Sequence, residues 1–302
     1  MKPTESLSRN TEDVADSLAA MIKREITTLN HEGYLHPSEP NMISAHDREK
    51  IVDWCYAVVD HCQYSRETVA SAMDMVDRFL SMPSNSVDAA RVSDEALRDQ
   101  SKFQLLTIAA LYSSIKVHER VALSSDLFAE ICSRAYTAEE IEDMERILLS
   151  GLSWRCHSPT ARQIGLSILS LILPYVDIPE ETWGFLLDEM TYLTELAVRD
   201  YYFAFERTST IALAAVLNAI SDTSTKEHQE ILGAFLRVVM ECFEFDHVKH
   251  IAMARTRLQC LVTPDILLQG DDLDEISLGE SVNTFKVSNI SSSPNRDRSC
   301  LL

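Results

Sequence analysis

The chain has 302 residues, 46% of them hydrophobic and 25% charged, the proportions of a soluble globular protein with room for two ordinary domains. Its formal charge of −20 argues against a nucleic-acid-binding role, which needs a surplus of Lys and Arg facing the phosphates, and it suits a partner that presents basic surface. Only 7 glycines and 9 prolines occur, too few for a protein of many turns, so long helices with short connections are expected.

Residues 1–12 are polar and expected to be loose. From 13 to 30, Val14, Leu18, Met21, Ile22, Ile26 and Leu29 recur at helical spacing, which predicts an amphipathic helix ending near Gly33. One such helix cannot bury its stripe alone, so it packs on the body or on a partner. The next helix spans about 47–62, with Ile51, Trp54, Cys55, Val58, Val59 and Cys62 on its inner face. After Tyr64-Ser65, the row Val69, Met73, Val76, Phe79 and Leu80 predicts another that ends before Pro83. Residues 83–98 are Ser/Asn-rich, then of mixed charge, and read as an exposed loop.

Lys102 to Glu119 follows, and its middle, Leu105 to Tyr112, offers no wide polar face. A helix apolar on nearly every side is buried. Polarity returns at Lys116, His118, Glu119 and Arg120, so the C-terminal end of this central helix surfaces. Ser124-Ser125 then opens a short helix carrying Leu127, Phe128, Ile131 and Cys132. Thr137 and Glu140 form a capping box, with Ile141, Met144, Ile147 and Leu148 facing inward and Gly151 as the stop.

Ser158-Pro159-Thr160 with Gln163 starts a further helix by the same device. Helices are expected near 160–173, 180–200, 207–221, 225–243 and 247–262. Thr210 to Ile220 is again apolar all round, and Thr210-Ile-Ala-Leu-Ala echoes Thr107-Ile-Ala-Ala-Leu, each in the third helix of a predicted five. This is the signature of a duplicated five-helix unit. From 263 the pattern stops, and the acidic then serine-rich residues 271–302 are expected to be disordered. The domains are therefore 1–40 (tail and amphipathic helix), 41–157, 158–262 and a 263–302 tail.

Motifs for chemistry are missing. There is no Gly-rich phosphate loop, HExxH, GxSxG elbow or paired CxxC. His247 and His250 lack a third ligand, and His61 points about 100° away from Cys62 on a helix, so no metal is expected. Glu139, Glu142, Asp143 and Glu145 lie mostly on an outer helix face. Tyr201, Tyr202, Phe203 and Phe205 read as a packed joint between helices. The seven cysteines, an odd number and mostly in apolar patterns, read as reduced thiols of the cytosol or nucleus, with no signal peptide, membrane span or prenylation box at Cys300. No cofactor is implied.

Several short stretches together resemble the cyclins. Arg48-Glu-Lys-Ile-Val-Asp-Trp54, Met75-Val-Asp-Arg-Phe-Leu-Ser81, Gln104-Leu105, Ser114-Ile-Lys116 with Glu119, and Tyr136-Thr-Ala-Glu-Glu-Ile with Met144-Glu145 follow the family's segments in order. The family's five signature positions would be Arg48, Asp77, Leu105, Lys116 and Glu145. The resemblance covers about 40–157 by residue and 158–262 mainly by pattern. It implies an all-α fold of two tandem five-helix cyclin-fold domains, each around a buried central helix, plus the N-terminal amphipathic helix.

The resemblance also implies a non-catalytic subunit that binds and activates a cyclin-dependent Ser/Thr kinase in the nucleus or cytoplasm and controls cell-cycle progression. In the family the lysine and glutamate equivalent to Lys116 and Glu145 grip the kinase's C-helix, and Ile115 and Glu119 flank them. Arg48 and Asp77 would be a buried pair tying two helices, and Leu105 would be core. Family members that recruit substrates use a shallow patch, here Ile51, Trp54 and Gln104, but Asp47 and Ala57 replace that patch's Met and Glu. Arg120 to Leu123 and Arg146 to Leu149 have the core of a destruction box without its downstream Asn. Thr263-Pro264 and Ser293-Pro294 have the pattern of proline-directed phosphorylation. A kinase-independent adaptor of the same fold is the alternative, as is a transcription scaffold like general transcription factor TFIIB, which would need a zinc ribbon and a basic face.

Overall fold

A computed structural model of the chain describes residues 3–28, 33–35, 42–81, 86–223, 225–244 and 250–262. These hold twelve α-helices and one 3-10 turn, with no strand among the described residues. They divide into two units, one within Tyr34–Cys156, the other from residues up to Gly33 together with those from His157 onward. No described helix is long and apolar enough to cross a membrane.

The first unit contains α2 (Ala45–His61), α3 (Glu67–Ser81), α4 (Val87–Arg98), α5 (Gln100–His118), α6 (Ser125–Ile131) and α7 (Ala138–Gly151). The central helix is α5, whose residues from Leu105 through Ile115 are all buried, with α3, α4 and α7 packed around it. Polar side chains inside it are bonded: the Thr107 hydroxyl donates to the Phe103 carbonyl at 3.0 Å and the Ser114 hydroxyl to the Thr68 carbonyl at 2.8 Å.

Most helix starts here are fixed by local side chains. Ser44 with Asp47 and Thr137 with Glu140 form capping boxes, and Ser86, Asp99 and Ser124 cap α4, α5 and α6. The hydrogen bonds from Thr137 lower the Glu140 pKa, because they favour its ionised form.

One expectation fails in this unit. The supposed loop over 83–98 is largely the helix α4, which buries Ala89, Val92 and Ala96 against α5 and α7. The unit therefore has six helices, and α5 is the fourth of them.

The second unit contains α8 (Ala161–Ile172), α9 (Glu180–Arg199), the 3-10 turn Tyr201–Phe205, α10 (Thr208–Ser221), α11 (Thr225–Cys242) and α12 (Ile251–Val262). Here α10 is the buried centre, third of five, wrapped by α8, α9 and α12. In the turn, Tyr201 meets Phe205 edge-on at 4.9 Å, a packed joint between helices.

To this unit belongs α1 (Pro3–Thr28), which buries Leu18 and Ile22 in its core and packs on α8. The helix begins at Pro3, so most of the stretch expected to be loose forms its first turns. Glu25 of α1 is buried and accepts from the backbone N–H of Ser209 at 2.6 Å and from its hydroxyl at 2.8 Å. Arg207, the residue in the capping position of α10, makes no side-chain cap. Glu25 satisfies an orphan N–H there from a distant part of the sequence. The expectations for residues 263–302, for Thr263 and Ser293 and for His247 lie outside the described residues.

Candidate partner-binding surface

The surface is built where α5 emerges from the core. Ile115 is wholly buried, and one step on, about 100° around the helix, Lys116 reaches solvent. Its ammonium lies 2.5 Å from Oε2 of Glu145 on α7 and 4.3 Å above the Tyr112 ring. The other carboxylate oxygen of Glu145 accepts from the Ser113 hydroxyl at 2.7 Å. The lysine side chain is 37% exposed and the glutamate 10%. The pair thus sits at the rim of the core with its cationic end outward.

Around this pair the described surface is apolar where solvent exposure would favour polar groups. Val117, Val121 and Leu127 are exposed, and Trp154, just past α7, is 68% exposed. Trp154 has φ of 61° and Ser153 has 51°, both in the left-handed region that bulky residues avoid. The turn is held by Arg78, a buried side chain that donates to the Arg155 carbonyl at 2.8 Å and pairs with Asp74. Cys156 lies near enough for Glu145 to act on it. Its thiol pKa is raised mainly by burial, with Arg78 lowering it and Glu145 raising it.

Glu119 faces away from any partner. Its carboxylate accepts from the Ser65 N–H at 2.9 Å and from the Thr68 hydroxyl at 2.6 Å, so it caps the start of α3 and ties the end of α5 to it. Two corrections follow. Ile115, expected among the contact residues, is sealed in the core and offers no surface, and Glu119 is engaged inside the unit.

Arg48 and Asp77 meet in a buried bidentate pair, Nε to Oδ1 at 3.0 Å and Nη2 to Oδ2 at 2.7 Å, and the Tyr34 hydroxyl donates to Oδ1 at 2.7 Å. Burial alone would lower the Arg48 pKa, but the Asp77 carboxylate outweighs it and the net shift is upward. Leu105 is core.

The presumed recruitment patch is not assembled as expected. Ile51 is buried, while Trp54 and Gln104 are half-buried, and Oε1 of Gln104 lies 3.2 Å from the Tyr136 hydroxyl. That phenol is pushed up to about 12, by burial first and then by Asp99. The Asp47 charge is engaged locally, since it accepts from the Ser44 N–H and from the Gln100 amide at 3.1 Å.

Among the described residues no three His, Cys, Asp or Glu gather as metal ligands. Cys55 and Cys132 are free, buried thiols raised by burial, the latter to about 12. Sequence reasoning missed Ser113, Tyr34, Glu25 and Trp154. Ser113 was the most accessible of these, standing three residues before Lys116 and thus on the same helix side.

Residues 16–157 match the family model described as "Cyclin, N-terminal domain". The chain is 26% identical over 169 residues to cyclin-A2-1 of Oryza sativa subsp. japonica, covering 56% of this chain and 31% of that protein. It is 28% identical over 160 residues to the G1/S-specific cyclin-E1 of Rattus norvegicus, covering 52% of this chain and 33% of that one. The matches therefore span about a third of these relatives' length. A viral cyclin from herpesvirus saimiri shares the fold, with a TM-score of 0.54 at 12% identity over 73% of this chain and 87% of that one.

Proposed function

The chain belongs to the cyclin family, whose N-terminal domain it carries at residues 16–157, and from that premise we propose that it binds and activates a cyclin-dependent Ser/Thr protein kinase. It acts in the nucleus or cytoplasm and controls progress through the cell cycle. The observation that supports this is the Lys116–Glu145 pair at the rim of the core, beside exposed Val117, Val121, Leu127 and Trp154. A half-exposed ion pair stabilises a fold by less than about 1 kcal/mol, so fold stability gives it little reason to be there. As a docking feature it makes sense. The lysine offers donors and the glutamate acceptors to backbone groups at the end of a partner helix, and the valines, leucine and tryptophan cover that helix's apolar side.

Activation is then selection between conformations. The kinase's C-helix must swing inward so that its glutamate pairs with the ATP-anchoring lysine. A surface that fits only the inward arrangement shifts the population by its difference in affinity for the two states. The cyclin supplies no catalytic group.

The test is a pull-down from cell extract followed by a histone-kinase assay, with wild type and with Lys116→Glu combined with Glu145→Lys. The double exchange lets the internal ion pair re-form with reversed polarity, so the fold survives while the partner meets the wrong charges. Loss of both bound kinase and activity is expected. Unchanged activity in the double variant overturns the reading, and a bound kinase without activity points to the adaptor instead.

A further inference from the structure

In the second unit, α1 and α8 form the walls of a groove of about 460 Å³, a size that takes small ligands and short peptide segments. Ser17, Met21 and Arg24 line one wall at positions i, i+4 and i+7 of α1, and Gln163 and Leu166 the other, with His157 where the chain enters α8. Its floor is apolar, from Met21, Leu166 and Pro159. The chain as a whole carries −20, yet the two ionisable side chains lining this groove, Arg24 and His157, are both basic and both exposed. One turn beyond Ser17 toward the N-terminus stands Asp13, which closes that end to anions.

We infer that this groove is a docking site for a short extended segment of another protein in which carboxylates alternate with aliphatic side chains. The aliphatic groups fill the floor over Met21 and Leu166, and a carboxylate meets Arg24. The hydroxyl of Ser17 and the amide of Gln163, whose Oε1 accepts from the Thr160 N–H at 3.4 Å, add polar contacts on the two walls. Charge sets the choice of occupant: a basic segment would face two basic groups, and an uncharged one would leave them without a role in recognition.

The site is independent of the kinase-binding residues, since Arg24 and His157 belong to one unit and Lys116 and Glu145 to the other. The test uses the full chain without kinase and a fluorescein-labelled Gly-Glu-Leu-Glu-Leu-Glu-Gly peptide, read by fluorescence anisotropy. Saturable binding that weakens with added salt is expected, reduced about tenfold or more in Arg24→Glu. Ser167→Arg, which fills the groove without removing its charge, should also abolish it, and Lys116→Glu should bind as the wild type does. Thermal melts of each variant check that the fold is kept.

Equal binding of a Gly-Lys-Leu-Lys-Leu-Lys-Gly control, no effect of Arg24→Glu in a folded variant, or no saturable binding by the wild type each overturn the proposal. So does binding confined to a serine-phosphorylated peptide. So too does sedimentation at dimer mass with the groove closed to peptide, which would assign it to a second copy of the chain.

Discussion

Arg48 on α2 and Asp77 on α3 hold each other through two parallel hydrogen bonds of 3.0 and 2.7 Å, with their side chains only 2% and 6% exposed. Two charges sealed together are tolerated because each cancels the other's desolvation, and Tyr34 takes up a further lone pair of Asp77. Removing one strands the other. Arg48→Ala is expected to cost on the order of 3–5 kcal/mol in urea unfolding. Arg48→Met combined with Asp77→Leu should be less destabilised than either single loss, because no buried charge is left over.

The Glu119 carboxylate caps α3 through Ser65 and Thr68. Glu119→Ala removes that cap and leaves the buried Thr68 hydroxyl without its acceptor, which should lower stability by about 1–2 kcal/mol. Kinase pull-down should survive under conditions where the variant stays folded. If binding vanished while the melting temperature held, Glu119 would be a contact residue after all.

Much of this architecture could be read from the residues, and the exceptions have physical causes. The two central helices are apolar on every side, a pattern only burial explains, so α5 and α10 were plain. By contrast α4 hides its inward face in Ala89, Val92 and Ala96, too small to stand out among Asp88, Arg91, Asp94, Glu95 and Arg98. Gly151 reads as a helix stop, yet it ends α7 without positive φ, and the left-handed positions fall on Ser153 and Trp154. Its smallness serves packing, since a Cβ there would come within 2.6 Å of the Phe79 ring. Ile115 precedes the surfacing Lys116, and the 100° step alone places it inward. The meeting of Lys116 with Glu145, distant along the chain, had no local signal, and only the resemblance to a family put them on one surface.

Glu25, buried beside Ser209, offers a pH test. Burial, the largest effect, raises its pKa above the ordinary 4.5, although its bonds to Ser209 and the Arg207 charge pull the other way. A carboxyl whose folded-state pKa is raised binds more protons folded than unfolded. Its contribution is therefore fully present below the unfolded pKa and declines as pH rises from there through the raised folded value. Comparing denaturant unfolding of the wild type with Glu25→Gln isolates this group. The wild type should lose stability relative to the variant as pH rises from about 4 toward neutrality. A difference that stays flat with pH, or has the opposite slope, would show that hydrogen bonding outweighs burial at Glu25.

Trp154 combines two features that folding does not favour, a bulky side chain in left-handed backbone and an indole left 68% in water. Left-handed backbone costs an L-residue roughly 1–2 kcal/mol, and glycine avoids that cost while losing about 0.5–1 kcal/mol to the entropy of its freer unfolded chain. Trp154→Gly should therefore leave stability unchanged or raise it by up to about 1 kcal/mol. The turn itself persists, because Arg78 still holds the Arg155 carbonyl and the N–H of residue 154 still reaches the Leu149 carbonyl at 2.8 Å. Kinase capture by the same variant should fall by about tenfold or more, as for a tryptophan that anchors an interface. A variant that melts higher and binds less would mark Trp154 as kept for its partner; one that melts lower and binds equally well would return it to the fold.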